Sequence, residues 1–420
     1  MKLNNIDLKR LKYRWISKID EIKKEDWERC FAGGSILQSY NFAKAVEYSQ
    51  LDRIDHYYLT AFSGQTAVAI IPCFRYRVSI TVLSGPFLQW IANGLRKINK
   101  NLLYFNTFIV GSPTAICTHL LGIPGLGQDH LSGEILEKCD DEIKIKAKEL
   151  KSKLIILKEI PYPLNKTIEK VLNLRYVFTD SLPTTYLSLT VNSTNPVPYI
   201  HRLRKKYRVL MKKRQRIFSD AGLTWEKCRN AAPYASKFEE LYTQVLNHSA
   251  HKFEKLSPNF FIKVLDFLGD DAYILMCKRG SQIVAFELFL KDDHVLHPIY
   301  LGLDYNMKDE TELYFNCIYK IIEEGENRNC AVVQFGQTSY EVKSSLGAVP
   351  NPLFVGLYHS NKFWNRCLGK FAHILFPHTT FPVRHVFNKN TENIEILKKY
   401  GIPFNDAVDI GENNSEKEEK

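Results

Sequence analysis

Residue patterns that mark metal, nucleotide and redox sites are missing from this chain of 420 residues. It has no HxH or HExxH motif, no paired carboxylate–His spacing and no glycine-rich P-loop. The segment GIPGLG at residues 122–127 lacks the strand-to-helix context of a dinucleotide-binding turn. These absences predict a protein that works without a metal ion and without a tightly bound cofactor.

Cysteine pairs are also missing, although the chain contains nine cysteines, an odd number. Most lie inside apolar runs, such as Cys73 in AIIPCF and Cys277 in YILMC. This placement indicates reduced, buried thiols in a cytosolic protein rather than disulfides or zinc ligands. A single catalytic cysteine stays open as an alternative, although no His or Asp lies at a telling spacing from one.

No apolar run reaches the length of a membrane span, and the first residues, MKLNNIDLKRLKYRW, contain no apolar core of a signal peptide. We therefore expect a soluble, cytoplasmic protein with no transmembrane segment, which leaves contact with a membrane surface open. The net charge of +11 favours an anionic partner, such as a phosphate-bearing ligand, a nucleic acid or an acidic lipid.

The composition is that of a globular protein, with 45% apolar and 25% charged residues, and the length favours two or three domains. The most informative stretch is Ala331–Gly347. It predicts a buried strand to Phe335, a break at Gly336, a polar turn over Gln337–Ser339 with a helix-capping Ser or Thr, and a short helix. Such units place polar side chains at the carboxyl end of a sheet, where ligands bind. An ordinary βαβ unit with a solvated turn fits the pattern equally well.

The predicted elements follow the same order in both halves. First-half strands are predicted at Trp15–Ile19, Asp55–Phe62, Thr66–Tyr76, Val78–Trp90, Leu102–Val110, Leu154–Lys158 and Tyr186–Leu189. First-half helices are predicted at Lys24–Ala32, Ser39–Ser49, Ser132–Ser152 and Leu164–Asn173. The second half predicts helices at Pro198–Phe218, Ala235–Ser249, Pro258–Leu268 and Glu312–Glu324, and strands at Ala272–Cys277, Ile283–Leu290, His294–Leu301 and Pro352–His359.

Two segments with this shared layout identify an internal repeat. They are KLIILKEIPYPLNKTIEKVLNLRYVF at 153–178 and CAVVQFGQTSYEVKSSLGAVPNPLFV at 330–355. Each has a buried strand, a polar turn, a short helix and a second strand. We therefore predict two copies of one α/β (α+β) domain, at residues 13–183 and 184–385, and a polar, disordered tail at 386–420.

The order of elements resembles that of the GNAT acyltransferase domain. Two such domains in tandem resemble the Fem-type aminoacyltransferases that build peptidoglycan bridges and, more closely, bacterial double-GNAT proteins of peptidoglycan biosynthesis and recognition. The segments that carry the resemblance are YRVLMKKRQR, SQIVAFELFL, YLGLDYN, FGQTSYEVKSSLGA and GLYHSN. The resemblance covers about residues 13–385 and implies two tandem GNAT-like domains, each a mixed, mostly antiparallel sheet flanked by helices.

The chain departs from the GNAT enzymes that use coenzyme A. Those enzymes hold the pyrophosphate with a glycine-rich loop before the long helix. The corresponding segment here is GLDYNMKDETE, with one glycine and four acidic residues, which would repel phosphate. The resemblance therefore leaves acyl-CoA, acyl carrier protein and aminoacyl-tRNA as possible donors.

A basic run at Arg202–Arg216 is a candidate anion-binding surface. At helical spacing, Arg204, Arg208 and Lys212 lie on one face, where they could bind tRNA or another phosphate-rich ligand. A solvated basic face beside an apolar seam is the alternative. We favour binding, because nine like charges repel one another unless an anion offsets them.

Acyl transfer to an amine needs a base for the amine proton and donors for the oxyanion. Glu287 or His297 is a candidate base, although a solvent-facing or paired core side chain is the more common role of such residues. Tyr340 is a candidate proton donor and Lys343 a candidate ligand for carboxylate or phosphate. Substrate-binding candidates in the same stretch are Gln334, Gln337 and Ser339, for which turn capping is the alternative.

These observations predict an N-acyltransferase that moves an acyl or aminoacyl group from an activated donor to an amine acceptor. The alternative from another class is a non-catalytic GNAT-like module that recognises a cell-wall precursor or a nucleic acid.

Overall fold

A computed structural model of the chain describes residues 6–51, 54–79, 94, 97, 104–172, 175–189, 196–249, 254–382, 384–388, 391–400 and 402. The predicted strand Val78–Trp90 lies outside the described residues from residue 80 onward. Residues 389–390, 401 and 403–420 of the predicted tail also lie outside them.

The first sheet contains seven strands. They are β1 Lys12–Ile16, β2 Asp55–Ser63, β3 Thr66–Ser79, β4 Tyr104–Val110, β5 Leu154–Pro161, β6 Val177–Asp180 and β14 Leu353–His359. Their spatial order is β1-β2-β3-β4-β5-β14-β6, and only β4 and β5 are parallel neighbours. Strand β3 is buried on both faces, because its alternate side chains enter two different cores.

The second sheet also contains seven strands. They are β7 Thr184–Ser188, β8 Leu223–Cys228, β9 Ala272–Arg279, β10 Gln282–Lys291, β11 Val295–Leu303, β12 Val332–Gly336 and β13 Val349–Asn351. Their order is β13-β7-β12-β11-β10-β9-β8, and only β11 and β12 are parallel neighbours. Both sheets are therefore mixed and mostly antiparallel, as the sequence predicts.

Helices flank both sheets. Those before β7 are α1 Lys24–Cys30, α2 Tyr40–Tyr48, α3 His130–Glu149 and α4 Leu164–Leu172. Those after it are α5 Tyr199–Arg202, α6 Lys205–Asp220, α7 Ala235–His248, α8 Pro258–Leu268, α9 Leu313–Asn327, α10 Tyr340–Ser344, α11 Lys362–Leu375 and α12 Thr391–Lys399. Helix α3 shows why the pattern predicts them: Asp129 accepts from the N–H of Leu131 at its start, and Ile135, Cys139 and Ile143 bury one face.

The two halves of the chain exchange a strand. Strand β14 belongs to the second half by sequence, yet it lies between β5 and β6 of the first sheet. Strand β7, which overlaps the last strand predicted for the first half (Tyr186–Leu189), lies between β12 and β13 of the second sheet. The division at residues 183 and 184 stays a prediction, but the range 184–385 does not form one separate sheet.

The largest of the core clusters that join the two halves lies between α2 and α8. It joins Phe42 and Val46 of α2 to Phe260 and Phe261 of α8, together with side chains from β10. At the same contact the hydroxyl of Ser257 donates to the Ser49 carbonyl at 2.7 Å. The halves are therefore joined by packing as well as by exchanged strands.

Two sequence predictions are wrong in detail. The predicted helix Pro198–Phe218 is interrupted, because Leu203 and Arg204 are extended and the Arg204 N–H donates to the Val386 carbonyl at 2.9 Å. The prediction of a disordered tail is wrong for its described part, where Phe387 is 2% exposed and Leu397 is fully buried. Both departures have one cause, since the segment after residue 385 packs against the second half.

Candidate functional site

The parallel strands β11 and β12 diverge near the centre of the second sheet. They pair only at Val295 with Val332 and at Leu296 with Val333. A register shift in the pairing of β10 with β11 leaves Ile299 as an extra residue, because Leu288 pairs with Tyr300 and Phe289 with Pro298. The diverging strands make room for polar side chains between them, and His297 and Gln334 occupy the first positions.

A chain of hydrogen bonds runs through these side chains. His297 Nε2 lies 2.8 Å from Asp292 Oδ2, and His297 Nδ1 lies 2.6 Å from Gln334 Oε1. Gln334 Nε2 in turn donates to the Tyr186 hydroxyl at 2.9 Å, which belongs to the exchanged strand β7. His297 is 4% and Gln334 7% exposed, so the two side chains are held in a dry site. A carboxylate and an amide thus fix the orientation of the imidazole ring.

The first half of the chain holds this site from the other side. Asp292 Oδ1 accepts a hydrogen bond from the N–H of Ile36 at 2.7 Å. The Cys117 thiol, from the loop after β4, lies against the turn that follows β12: a Cβ built on Gly336 would be 3.7 Å from it. Burial raises the pKa of Cys117 to about 12, so the thiol stays neutral near pH 7. The site therefore lies at the contact between the two halves, and its cysteine does not have the properties of a nucleophile.

A buried carboxyl group holds that loop. Glu159 is 3% exposed and accepts from the N–H groups of Ile116 and Cys117 at 3.0 and 3.1 Å. Burial raises the pKa of Glu159, while Lys158 opposes the shift. A second carboxyl group, Glu254, accepts from the Tyr300 hydroxyl at 2.6 Å.

Glu159 was not among the predicted site residues, although its place in the internal repeat marks it. In the internal repeat, Glu159 and Gly336 occupy equivalent positions at the end of the strand. Both have left-handed backbone, with φ of +55° and +70°. A non-glycine residue with positive φ is uncommon and often marks a functional or strained position. No such signal exists for Asp292 or Tyr186, which only the folded chain brings to His297 and to Gln334, respectively.

Lys343 closes the turn after β12. Its Nζ donates to the carbonyls of Phe335, Gly336 and Gln337 at 2.9, 3.1 and 2.6 Å. Burial lowers the pKa of Lys343 to about 7, but three carbonyl acceptors fit the ammonium, since a neutral amine has only two N–H protons. Because Nζ is saturated by the backbone, Lys343 stabilises the turn, and it is not placed as a ligand for carboxylate or phosphate.

The other predicted turn residues also make internal contacts. The side chain of Gln337 donates to the Leu182 carbonyl and the Tyr340 hydroxyl to the Pro183 carbonyl, each at 2.8 Å. Burial raises the pKa of Tyr340, which keeps its proton in place. Ser339 has φ of +54° and makes no capping hydrogen bond, contrary to the prediction. Apart from Gln334, these residues hold the turn against the segment that enters β7.

Glu287 lies on the opposite face of the sheet from His297. Leu290, the cross-strand partner of His297, shares its face with Phe286 and Leu288 on β10. Glu287 alternates with those residues and points under α9, toward Cys317. The structure therefore does not bring the two predicted bases together, and the prediction of Glu287 as a base at this site is wrong.

A second candidate surface lies along α6. Among the described residues, no carboxylate lies within ion-pair distance of Arg204, Arg208 or Lys212. Beside these side chains a groove of about 280 Å³ runs between α6, α9 and α10. Its lining is mostly apolar and aromatic: Tyr199, Leu203, Tyr207, Leu210, Met211, Phe315, Tyr319, Val342 and Leu346. A free basic face thus borders a groove that could accept an apolar or aromatic group.

The start of α9 provides no phosphate loop. Glu312 precedes the helix in a left-handed conformation and pairs with Arg214 at 3.1 Å. Asp304 accepts from the N–H of Asn306 at 3.0 Å. Acidic side chains therefore lie at the start of α9, where they disfavour a phosphate group.

Metal-ligand clusters and membrane spans were sought in the same described residues. No group of three His, Cys, Asp or Glu side chains within that part of the chain is placed to hold a metal ion. No helix within it is long and apolar enough to cross a membrane.

Comparisons with known proteins identify the fold. No family model matches the sequence, and no curated protein matches it. Among solved structures, FemX is 11% identical and aligns over 85% of this chain and 100% of its own, with a TM-score of 0.51. L-PGS from Bacillus licheniformis is 11% identical and aligns over 86% of this chain and 98% of its own, also with a TM-score of 0.51. The chain has this tandem GNAT-like fold, which confirms the fold that the sequence motifs predict.

Proposed function

We propose that this protein is an N-acyltransferase, which transfers an acyl or aminoacyl group from an activated donor to an amine acceptor in the cytoplasm. The observation that carries the proposal is the Asp292–His297–Gln334 chain at the divergence of β11 and β12. An oriented, buried imidazole is suited to proton transfer. The tandem GNAT-like fold supports the reaction class, because acyl transfer is the chemistry that the resemblance implies.

In the proposed reaction the amine nitrogen attacks the carbonyl carbon of a thioester or ester. A C–N bond forms, the C–S or C–O bond to the carrier breaks, and His297 passes the amine proton to the departing sulfur or oxygen. Asp292 accepts from the Nε2–H and orients the ring, so the amine proton enters at Nδ1, once the Gln334 amide has moved from Nδ1 to the acceptor or the carbonyl oxygen. No step needs a metal ion or a bound cofactor.

The donor's anionic carrier is proposed to lie along α6. Arg204, Arg208 and Lys212, which have no ion-pair partner among the described residues, supply positive charge, and the adjacent groove accepts an apolar or aromatic part of the donor. The acidic start of α9 argues against the usual pyrophosphate contact of acyl-CoA. Acyl-CoA, acyl carrier protein and aminoacyl-tRNA are therefore tested side by side.

The first experiment is thermal melting of the full chain with acetyl-CoA, long-chain acyl-CoA, acyl carrier protein and charged tRNA, at low and physiological salt. A ligand that binds only the folded chain raises the melting temperature. The tRNA shift should shrink as salt rises, since it depends on phosphate contacts. Arg208→Glu with Lys212→Glu should remove it, whereas Lys237→Glu on α7 should not.

The donor found in this way then tests His297. We expect His297→Gln to reduce turnover by about 100-fold or more, the usual contribution of a positioned acid–base group. His294→Gln is the matched control, because His294 is exposed in the bend directly before the same strand. Equal turnover in the two variants, with unchanged melting, would remove His297 from the mechanism. Binding without turnover of any donor would favour the non-catalytic binding module, a role consistent with the burial of His297.

A further inference from the structure

Helix α11 presents an uncovered apolar face. Phe363, Trp364, Phe371 and Ile374 are 65%, 57%, 52% and 44% exposed, and they are among the most exposed large apolar side chains of the described residues. Their spacing of about one and two helical turns places them on one side of the helix. A continuous exposed patch of this kind marks an interaction surface rather than a folding core.

The same helix is fixed to the protein by its other side. Leu368 and Ala372 are buried, and Leu368 packs with Val355 and Leu357 of β14. Asn361 caps the helix start by accepting from the N–H groups of Phe363 and Trp364 at 2.9 and 3.3 Å. The apolar face is therefore presented on a formed helix, which does not have to fold in order to bind.

Positive charge flanks the apolar face, and the stretch of sequence that forms the helix contains no acidic residue. Lys362, Arg366, Lys370 and His373 lie at helical positions beside the aromatic residues. No Asp or Glu occurs in the sequence between Glu341 and Glu392. Aromatic side chains next to lysine and arginine, without acidic residues, are typical of helices that lie at an anionic lipid interface.

We propose that α11 docks this protein onto an anionic phospholipid membrane. The helix has 14 residues and is about 21 Å long, so it lies in the membrane plane. Phe363, Trp364, Phe371 and Ile374 enter the boundary between headgroups and acyl chains, while Lys362, Arg366 and Lys370 contact lipid phosphates. This surface is separate from the His297 site and from the basic face of α6, and it does not depend on the proposed acyl transfer.

Vesicle flotation of the full chain tests the proposal. Vesicles of pure phosphatidylcholine are compared with vesicles that contain about one-third phosphatidylglycerol, whose anionic surface attracts the lysine and arginine side chains of the helix. We expect binding to the anionic vesicles only, weakened as salt rises. The emission of Trp364 should shift to the blue on binding, and Trp364→Phe should remove the shift while flotation persists.

Two pairs of variants separate the apolar and ionic contributions. Trp364→Ser with Phe371→Ser should reduce partitioning at least about tenfold, whereas Ile145→Ser, on a similarly exposed aliphatic residue of α3, should not. Lys362→Glu with Lys370→Glu should also reduce partitioning at least about tenfold. The control pair on α3, Lys138→Glu with Lys148→Glu, should not. Unchanged flotation in both test variants would overturn the proposal. A wild-type dimer in light scattering that becomes monomeric on Trp364→Ser, without vesicle binding, would show instead that a second copy of this chain covers the face.

Discussion

Glu287 lies in the core of the second half with both carboxyl oxygens lacking an N–H or O–H partner among the described residues. Its nearest polar neighbour is the weak donor Cys317, and burial raises its pKa well above the usual value. A carboxyl group held in this way binds its proton more tightly in the folded chain than in the unfolded chain. Glu287 therefore lowers the free energy of unfolding as pH rises, and it is not placed as a catalytic base.

Replacing Glu287 by Gln should stabilise the protein at alkaline pH. The folded state binds more protons than the unfolded state above pH 4.5, so wild-type stability falls as pH rises, by up to about 1.4 kcal/mol per pH unit until the folded pKa is reached. Glu287→Gln removes this loss. Denaturant midpoints at pH 5, 6.5 and 8 should show a growing advantage for the variant.

The control for this prediction is Glu310→Gln, which removes an exposed carboxylate and should leave the pH dependence unchanged. Turnover separates the two roles of Glu287. A variant that folds as predicted and keeps its activity confirms a core residue, while a folded but inactive Glu287→Gln would return the carboxyl group to the mechanism.

Lys343 and Glu159 show a different use of buried charge. Each holds a loop at the contact between the halves: Lys343 through three carbonyls after β12, and Glu159 through two N–H groups in the loop after β4. An ammonium satisfies carbonyls and a carboxylate satisfies N–H groups, so the two residues satisfy opposite backbone groups. The charges of the site are thus largely used to shape it.

At the scale of elements, α6 combines high charge with few ion pairs. Arg204, Arg208 and Lys212 follow one another at intervals of four residues, and Lys205 and Lys206 lie in the first turn, where the helix dipole disfavours cations. The described residues supply no carboxylate to the three. Such a helix costs stability in the free protein, which is consistent with a surface that is kept for an anionic ligand.

Neutralising this helix should therefore raise the melting temperature. We expect Arg208→Gln with Lys212→Gln to stabilise the ligand-free protein by roughly 0.5 kcal/mol at low salt, from two like-charge pairs. The gain should vanish at high salt, because exposed charges are screened.

Lys237→Gln on α7 is the matched control for that variant, since its lysine pairs with Glu240 at 2.7 Å and its removal should bring no gain. Thermal melting across a range of salt concentrations gives both comparisons. The prediction is contradicted if the wild type melts at the same temperature as the neutral variant, or higher, at every salt concentration. The charges of α6 would then already be balanced within the free protein.

At the scale of the whole molecule, the exchanged strands make the two halves one folding unit. Leu357 of β14 is 2% exposed, and it pairs with Ile156 of β5 and Val177 of β6. A side chain from the second half of the sequence thus completes the first sheet. Without β14, both β5 and β6 would expose unpaired edges.

We therefore predict that Leu357→Ala destabilises both halves together, by about 2–4 kcal/mol. Hydrogen exchange of peptides from β2 and β10, followed through urea unfolding, should show one shared transition that moves to lower urea in the variant. Val209→Ala, at an exposed position of α6, should leave it unchanged. Two separate transitions, with only the β2 peptides affected, would instead make the halves independent domains.

Local pattern in the sequence was enough to predict most elements and the tandem fold. The hairpin of β9 and β10, helix α8 and strand β12 lie where periodicity places them, because each depends on neighbours a few residues away. The cysteines in apolar runs are likewise buried, with Cys367 as the partly exposed exception. His297 and Gln334 were also identified as candidates from their strands alone.

The tertiary structure decided which candidates meet. Sequence spacing gives no reason for β14 to enter the first sheet, for Asp292 to contact both His297 and Ile36, or for Tyr186 to reach Gln334. Sequence spacing also does not show that Glu287 faces away from His297. The register between β10 and β11 and the packing of distant elements determine on which face of the sheet each side chain lies. Local preferences determine the elements of this protein, whereas contacts between residues distant in sequence, such as Asp292 with Ile36 and Gln334 with Tyr186, complete its site.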